Sequence, residues 1–169
     1  TLVESIMGLQ TIESGSINFQ NRDITSYASE ARAPMGIGYV PQGRRIFPLL
    51  TVEENLKMGL LVRGHSAEVL DWVLSLFPAL KSRMKQKSGT LSGGEQQMVA
   101  TARALCIKPK YLLMDEPSEG LMPSIIETIL ETLEKLKTEN VGILLVEQKI
   151  EGILRVSDSI AFIENGFIR

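Results

Sequence analysis

Three short stretches of the sequence hold residues whose types and spacing could do chemistry. Asp115 and Glu116 follow directly on the apolar run Tyr111-Leu112-Leu113-Met114. If that run is a strand of an open α/β sheet, both acids project beyond its carboxyl end, where such sheets bind ligands. One carboxylate there can hold Mg²⁺, a hard cation that takes oxygen ligands, and a second can orient or deprotonate a water. Taken alone, the pair reads more simply as two acids ending a strand in a loop. Leu91-Ser92-Gly93-Gly94-Glu95-Gln96 opens a helical pattern. Its two glycines let backbone N–H groups approach a ligand, and a helix N-terminus favours an anion such as phosphate. Ser92 and Glu95 also fit a capping box. A cap asks for no double glycine, however, and glycine costs a helix about 1 kcal/mol per residue. Gln42, after Tyr39-Val40-Pro41, offers an amide to a metal or a water, or merely sits in a turn.

These residues need elements to position them. Ser16-Ile17-Asn18-Phe19 alternates as an exposed antiparallel strand, followed by turn residues Gln20 to Asp23. Ile37 to Val40 reads as a short strand ended by Pro41. Thr51 and Glu54 form a capping box, and a helical pattern runs on to about Gln86 with Leu56, Leu60, Val69, Val73, Leu76 and Leu80 as core positions. Lys81 to Lys87 reads as a solvated basic linker. A second helix is expected from Ser92 to Leu105, before Pro109. Tyr111 to Met114 and Ile143 to Val146 are apolar without alternation, as parallel strands covered on both faces should be. Between them Pro123 can open a helix whose buried stripe is Ile126, Ile129, Leu130, Leu133 and Leu136. Strand, helix, strand at this spacing is a βαβ unit. Ile160 to Ile163 reads as a last strand, and Asn165-Gly166 as a type I′ hairpin turn.

Composition bounds the rest. The chain has 169 residues, a length that suits one domain, and 18 basic against 20 acidic residues give a formal charge of −2, which argues against wholesale nucleic-acid binding. The hydrophobic share, 44%, is too high for a disordered chain. The aliphatic run Ile143 to Val146 is far short of the ~20 residues of a membrane helix. One cysteine, Cys106, fits a reducing compartment and reads as core filler. No secretory signal pattern opens the sequence, so an intracellular globular protein is expected. Both ends read as cut in mid-pattern: Leu2, Ile6 and Leu9 have helical spacing without a preceding cap, and Phe167-Ile168-Arg169 is a short returning strand. His65 reads as a solvated loop residue, and Trp72 as part of a helical core.

Together the motifs resemble the ATP-binding subunit of an ABC transporter over the whole chain. Tyr39-Val40-Pro41-Gln42 is similar to the Q-loop, Leu91 to Gln96 to the signature motif, and Tyr111 to Pro117 to the Walker B strand with its catalytic glutamate. Gly43 to Leu56 and Val146-Glu147-Gln148 resemble the branched-chain amino acid and urea uptake branch, and Asp115 to Pro123 the urea-type subunits in particular. Gln148 stands where the switch histidine is usual and Met122 where the D-loop aspartate is usual, so those two roles are open. Gln148 can hydrogen-bond a γ-phosphate or water but cannot take up a proton near neutral pH. No G-x-x-x-x-G-K-[ST] stretch occurs in the sequence.

The resemblance implies an α/β fold: a P-loop NTPase-like ABC ATPase core with a mostly parallel sheet and a helical subdomain insert, lacking the N-terminal Walker A strand and loop. Residues 1–42 would be a remnant of the core with its antiparallel strands, 43–90 the helical subdomain, and 91–169 the signature helix, Walker B and the rest of the core. It implies ATP and Mg²⁺ as ligands, Glu116 as base or water-polarising group, and Asp115 and Gln42 at the metal. Gln148 would face the γ-phosphate. Ser92, Gly93, Gly94 and Glu95 would meet ATP held by a second ATPase subunit in a head-to-tail dimer. Permease subunits in the membrane, and a solute-binding protein indirectly, are the other implied partners, with no nucleic acid. The protein would sit in the cytoplasm, peripheral on the inner face of the membrane. Without the lysine motif the chain alone is expected to bind ATP weakly and not to turn it over. A soluble ABC ATPase outside transport, or a docking module without catalysis, are the alternatives.

Overall fold

Three short runs form one sheet. Of these, Tyr111 to Asp115 is buried at all but its first residue, whereas Ile143 to Val146, expected to be covered on both faces, is half-buried along its whole length because it lies at the edge of the sheet. The computed structural model describes residues 2–64, 66–150 and 152–169, so His65 lies outside the described residues. In chain order the elements are α1 (Leu2–Ile6), β1 (Asn18–Phe19), β2 (Arg22–Asp23), α2 (Ser29–Arg32), β3 (Ile37–Val40), α3 (Val52–Arg63), α4 (Ala67–Leu76) and α5 (Gly93–Leu105). They continue with β4 (Tyr111–Asp115), α6 (Pro123–Thr138), β5 (Gly142–Val146), α7 (Ile153–Val156), β6 (Ile163–Glu164) and β7 (Phe167–Ile168). The sheet has the order β3-β4-β5 and is parallel, with Val40 opposite Met114 and Asp115 opposite Val146. That register brings the carboxyl ends of all three strands to one edge.

Side chains alternate across a strand, and β4 divides its own between two cores. Leu112 and Met114 pack with α3, α4, α5 and α6 residues such as Leu56, Leu105 and Leu133. Leu113 joins Val3, Met7, Ile24 and Ile37 on the opposite face. Helices α3 and α5 lie nearly backbone to backbone: a Cβ on Gly59 would fall 2.3 Å from the Arg103 carbonyl. On the other face the guanidinium of Arg32, 1% exposed, donates to the carbonyls of Ser5, Ile6, Thr25 and Tyr27 and so ties α1, the β1–β2 hairpin and α2 together.

Several expectations hold and several change. The β6–β7 hairpin is present, and Asn165 and Gly166 both have positive φ, as a type I′ turn requires. Of the expected turn Gln20 to Asp23 only Gln20 and Asn21 turn, and Arg22 and Asp23 pair with Phe19 and Asn18 as β2. The strand expected over Ile160 to Ile163 is shorter and shifted, because only Ile163 of that stretch pairs, together with Glu164 beyond it. The helical run after Thr51 is not continuous: Gly64, at φ +65°, caps α3, and α4 ends before Pro78. Lys81 to Lys87 is not a free linker. Val52 N–H donates to Gln86 O and Glu53 N–H to Met84 O, both at 3.0 Å, while the buried Asn55 amide binds Phe47 O, Thr51 O and Ser88 Oγ. The first helix and the turn after it bury Val3 and Met7 rather than Leu2 and Leu9, which are about half exposed. Trp72 sits at the core's margin, with its indole N–H donating to Glu139 at 3.1 Å and Lys108 Nζ 3.7 Å over its ring.

Candidate functional site

Each strand of the sheet delivers polar side chains to the shared carboxyl edge. Strand β3 stops at Pro41, which cannot donate to a ladder, and Gln42 follows. Strand β4 ends in Asp115, and the chain then turns sharply through Glu116, which has a left-handed φ of 46°. Its backbone N–H still pairs with Val146 O at 2.9 Å, so the turn starts from the sheet itself. Strand β5 ends at Val146 and leads into Glu147 and Gln148.

Three of the candidates expected from sequence meet here. Gln42 Nε2 donates to Glu116 Oε2 at 3.2 Å, and Gln148 Nε2 donates to Glu116 Oε1 at 2.7 Å. The Glu116 carboxylate is thus held between two amides from the two neighbouring strand ends. Asp115, only 5% exposed, stands one residue back on the same strand, and its charge helps raise the Tyr39 phenol above its ordinary pKa, behind the larger effect of burial. Gln42 Nε2 also donates to Glu119 Oε2 at 3.1 Å. Two residues that sequence reasoning passed over therefore belong to the site. Glu119 carried a signal, an acid three residues after Glu116, while Glu147 stood unremarked beside Gln148.

The signature candidates form a different piece. Ser92 caps α5: its N–H donates to Glu95 Oε2 at 2.9 Å and its Oγ accepts from Glu95 N–H at 3.3 Å. The other Glu95 oxygen takes Arg83 Nε at 3.1 Å, and these bonds, Ser92's first, hold the Glu95 carboxyl below its ordinary pKa. The Glu95 carboxylate is thus engaged on both oxygens inside the cap. A Cβ on Gly93 would meet only the Arg44 guanidinium at 3.0 Å, whereas one on Gly94 would lie 2.7 Å from Ile125 Cγ1 of α6. Gly94 is therefore also a packing glycine, a cause separate from ligand approach.

A Mg²⁺ ion fits this donor set in one way. Among the described residues no three His, Cys, Asp or Glu side chains are grouped to hold a metal. The chain offers the Asp115 carboxylate and the Gln42 amide oxygen, which suits a cation that takes one or two protein oxygens and completes its shell with phosphates and waters.

The comparisons with known proteins agree with this geometry. The ABC transporter family matches residues 1–119. The chain is 45% identical to the high-affinity branched-chain amino acid transport ATP-binding protein BraG of Pseudomonas aeruginosa, over 99% of the chain and 73% of that protein. It is 41% identical to the probable branched-chain amino acid transport ATP-binding protein LivF of Archaeoglobus fulgidus, over 98% of the chain and 72% of that protein. The molybdenum import ATP-binding protein ModC of Haemophilus influenzae is similar at 34% identity, with 48% of its length covered. Among solved structures, a dimeric post-hydrolysis state of the ATP-binding cassette MJ0796 bound to ADP and Pi superposes with a TM-score of 0.87 at 26% identity, over 99% of the chain and 76% of that cassette. The sheet, the glutamate held at its carboxyl edge and these likenesses converge: the chain belongs to the ABC transporter family and is part of its ATP-binding domain.

Proposed function

We propose that the chain serves ATP hydrolysis in a subunit that energises uptake of branched-chain amino acids. The observation that carries this is the Glu116 carboxylate at the end of β4, held by Gln42 and Gln148. A carboxylate in that place can polarise a water for in-line attack on a γ-phosphate, a reaction whose catalysis is mostly positioning and electrostatics. Asp115 would hold Mg²⁺, directly or through water, and Gln42 would reach the ion through its amide oxygen. When bound, Mg²⁺ neutralises charge that develops on the phosphates. Gln148 orients Glu116 or the water by hydrogen bonds and moves no proton.

The amino acid class is favoured by the likeness to BraG and LivF, at 45% and 41% identity; the urea-type reading in particular rests on residues 115–123 alone. A second ATPase subunit would present its nucleotide to Ser92, Gly93 and Gly94, with Glu95 fixing Ser92. Phe47, Leu49, Met58 and Leu61 leave large apolar surface exposed on the helical part, suited to a permease. No described helix is long and apolar enough to cross a membrane, and the subunit would act on the cytoplasmic face. The 169 residues by themselves would bind ATP weakly and not turn it over, for want of a phosphate-binding lysine loop.

The test contrasts two neighbours in the complete subunit that carries this chain. Glu116→Gln keeps shape and should leave Mg²⁺-ATP binding intact while slowing single-turnover hydrolysis at least ~10²-fold. Asp115→Asn should instead weaken binding only in the presence of Mg²⁺. The same profile from both, or near-normal turnover by Glu116→Gln, overturns the reading.

A further inference from the structure

Two segments meet at the functional edge of the sheet, the turn 116–119 after β4 and residues 146–148 at the end of β5, and three hydrogen bonds join them. Glu116 N–H to Val146 O, at 2.9 Å, extends the sheet. Gln148 Nε2 to Glu116 Oε1, at 2.7 Å, joins two side chains already assigned to the chemistry. The third runs from Ser118 N–H to Glu147 Oε1 at 2.8 Å. It is the bond by which a side chain beyond β5 grips the backbone of the turn.

Glu147 is an unexpected residue for this place. It is half-buried, lining with Pro117, Leu133 and Leu145 a small, mostly apolar cavity of about 20 Å³. Burial pushes its carboxyl up, the Ser118 bonds and Lys149 act against that, and the charge of Glu116 adds to the rise. A half-buried carboxylate is costly unless bonded, and an apolar residue would fill the position more cheaply. What the carboxylate adds is an acceptor aimed at the Ser118 N–H. The turn has use for one: Glu116 sits in the left-handed region, where a side-chain-bearing residue is strained and stays only if its surroundings over-determine it.

We infer that Glu147 is a positioning residue for Glu116: by holding the Ser118 N–H it fixes the turn that carries the Glu116 carboxylate and sets its place against Gln148. Glu147 itself touches neither water nor nucleotide in this role, which rests on the reading of Glu116 as the water-polarising group.

The experiment compares wild type, Glu147→Ala and Glu147→Gln in the complete subunit, by hydrogen exchange at the Ser118 amide and by steady-state ATP hydrolysis, with Glu116→Gln as control. The alanine removes the acceptor; the glutamine keeps an amide oxygen there and removes the charge. Glu147→Ala should lose protection at Ser118 and about tenfold or more in kcat with KM for ATP unchanged, because misplacing a catalytic group costs rate rather than substrate binding. Glu147→Gln should restore both. A protected Ser118 amide or a wild-type kcat in Glu147→Ala overturns the inference, as does a glutamine variant that behaves like the alanine. If wild type shows no turnover that Glu116→Gln abolishes, the reading of Glu116 falls on its own, and exchange at Ser118 still decides whether Glu147 holds the turn.

Discussion

Helices α3 and α5 begin with the same device and then diverge. Thr51 and Glu54 at one, Ser92 and Glu95 at the other, satisfy each other's backbone N–H groups in the same reciprocal pattern. After the cap, α3 places Val52, fully buried, and Glu53, bonded to Lys57 and Lys85. At the matching positions α5 places Gly93 and Gly94. The first turn of α3 is closed by its own side chains, while that of α5 presents bare backbone with the Arg44 guanidinium beside it and Ile125 packed close. A capping box thus accounts for where a helix starts and says nothing of what its end is for. The two glycines separate further, since one is required by packing and the other is not.

The widest separation is expected between those glycines. Gly94→Ala drives a Cβ into the β-branched Ile125, stiff at χ1, and should lose about 1–3 kcal/mol in denaturant unfolding. Ile125→Ala in the same chain should return most of it. Gly93→Ala displaces only the flexible end of Arg44 and should leave stability unchanged or raise it by up to about 1 kcal/mol through helix propensity. In the complete subunit it should nevertheless lower ATP turnover. Equal stability losses at both positions would erase the distinction.

The caps themselves come next. Thr51→Ala and Ser92→Ala should each cost about 1 kcal/mol in the same unfolding assay. Only Ser92→Ala should also weaken ATP-driven dimerisation of the complete subunit, read by sedimentation. Loss of dimerisation in Thr51→Ala as well would mean that stability alone is being measured.

The smallest effect concerns Glu53, which has no counterpart on α5. Its bonds to Lys57 and then Lys85 hold its carboxyl down at about 2, against an ordinary 4.5. A depressed pKa stabilises the fold above the unfolded value, and the gain is lost as pH falls through the folded one. Melting temperatures of wild type should therefore exceed those of Glu53→Gln near neutral pH, and the gap should close between pH 4.5 and about 2. Salt should narrow it too, because all three side chains lie at the surface.

Local rules make much of this molecule legible in its sequence. Both capping boxes, the apolar runs of β4 and β5, Pro123 at the start of α6 and the Asn165-Gly166 turn depend on residues within a few positions of one another. Gln42, Glu116 and Gln148 were found as separate strand-end residues; their meeting depends on the parallel register, across 74 and 32 positions of chain. Glu147 escaped notice because its partner, Ser118, is 29 residues away. The basic stretch Lys81 to Lys87 looked like solvent-facing linker because its side chains are polar, yet its backbone is bonded to the start of α3. The five-residue α1 is too short for periodicity to choose a face, and Val3 rather than Leu2 is buried.

The close approach of α3 to α5 at Gly59 encloses Cys106, whose Cβ would lie 2.8 Å from a Cβ on that glycine. The thiol is fully buried and desolvation pushes it up to about 12, so almost none is thiolate at neutral pH. As the chain's one cysteine, it is a built-in clock for opening of this helix pair. A thiol reagent can label it only when the packing around it opens, and where reclosing outpaces the reagent the labelling rate reads the free energy of that opening.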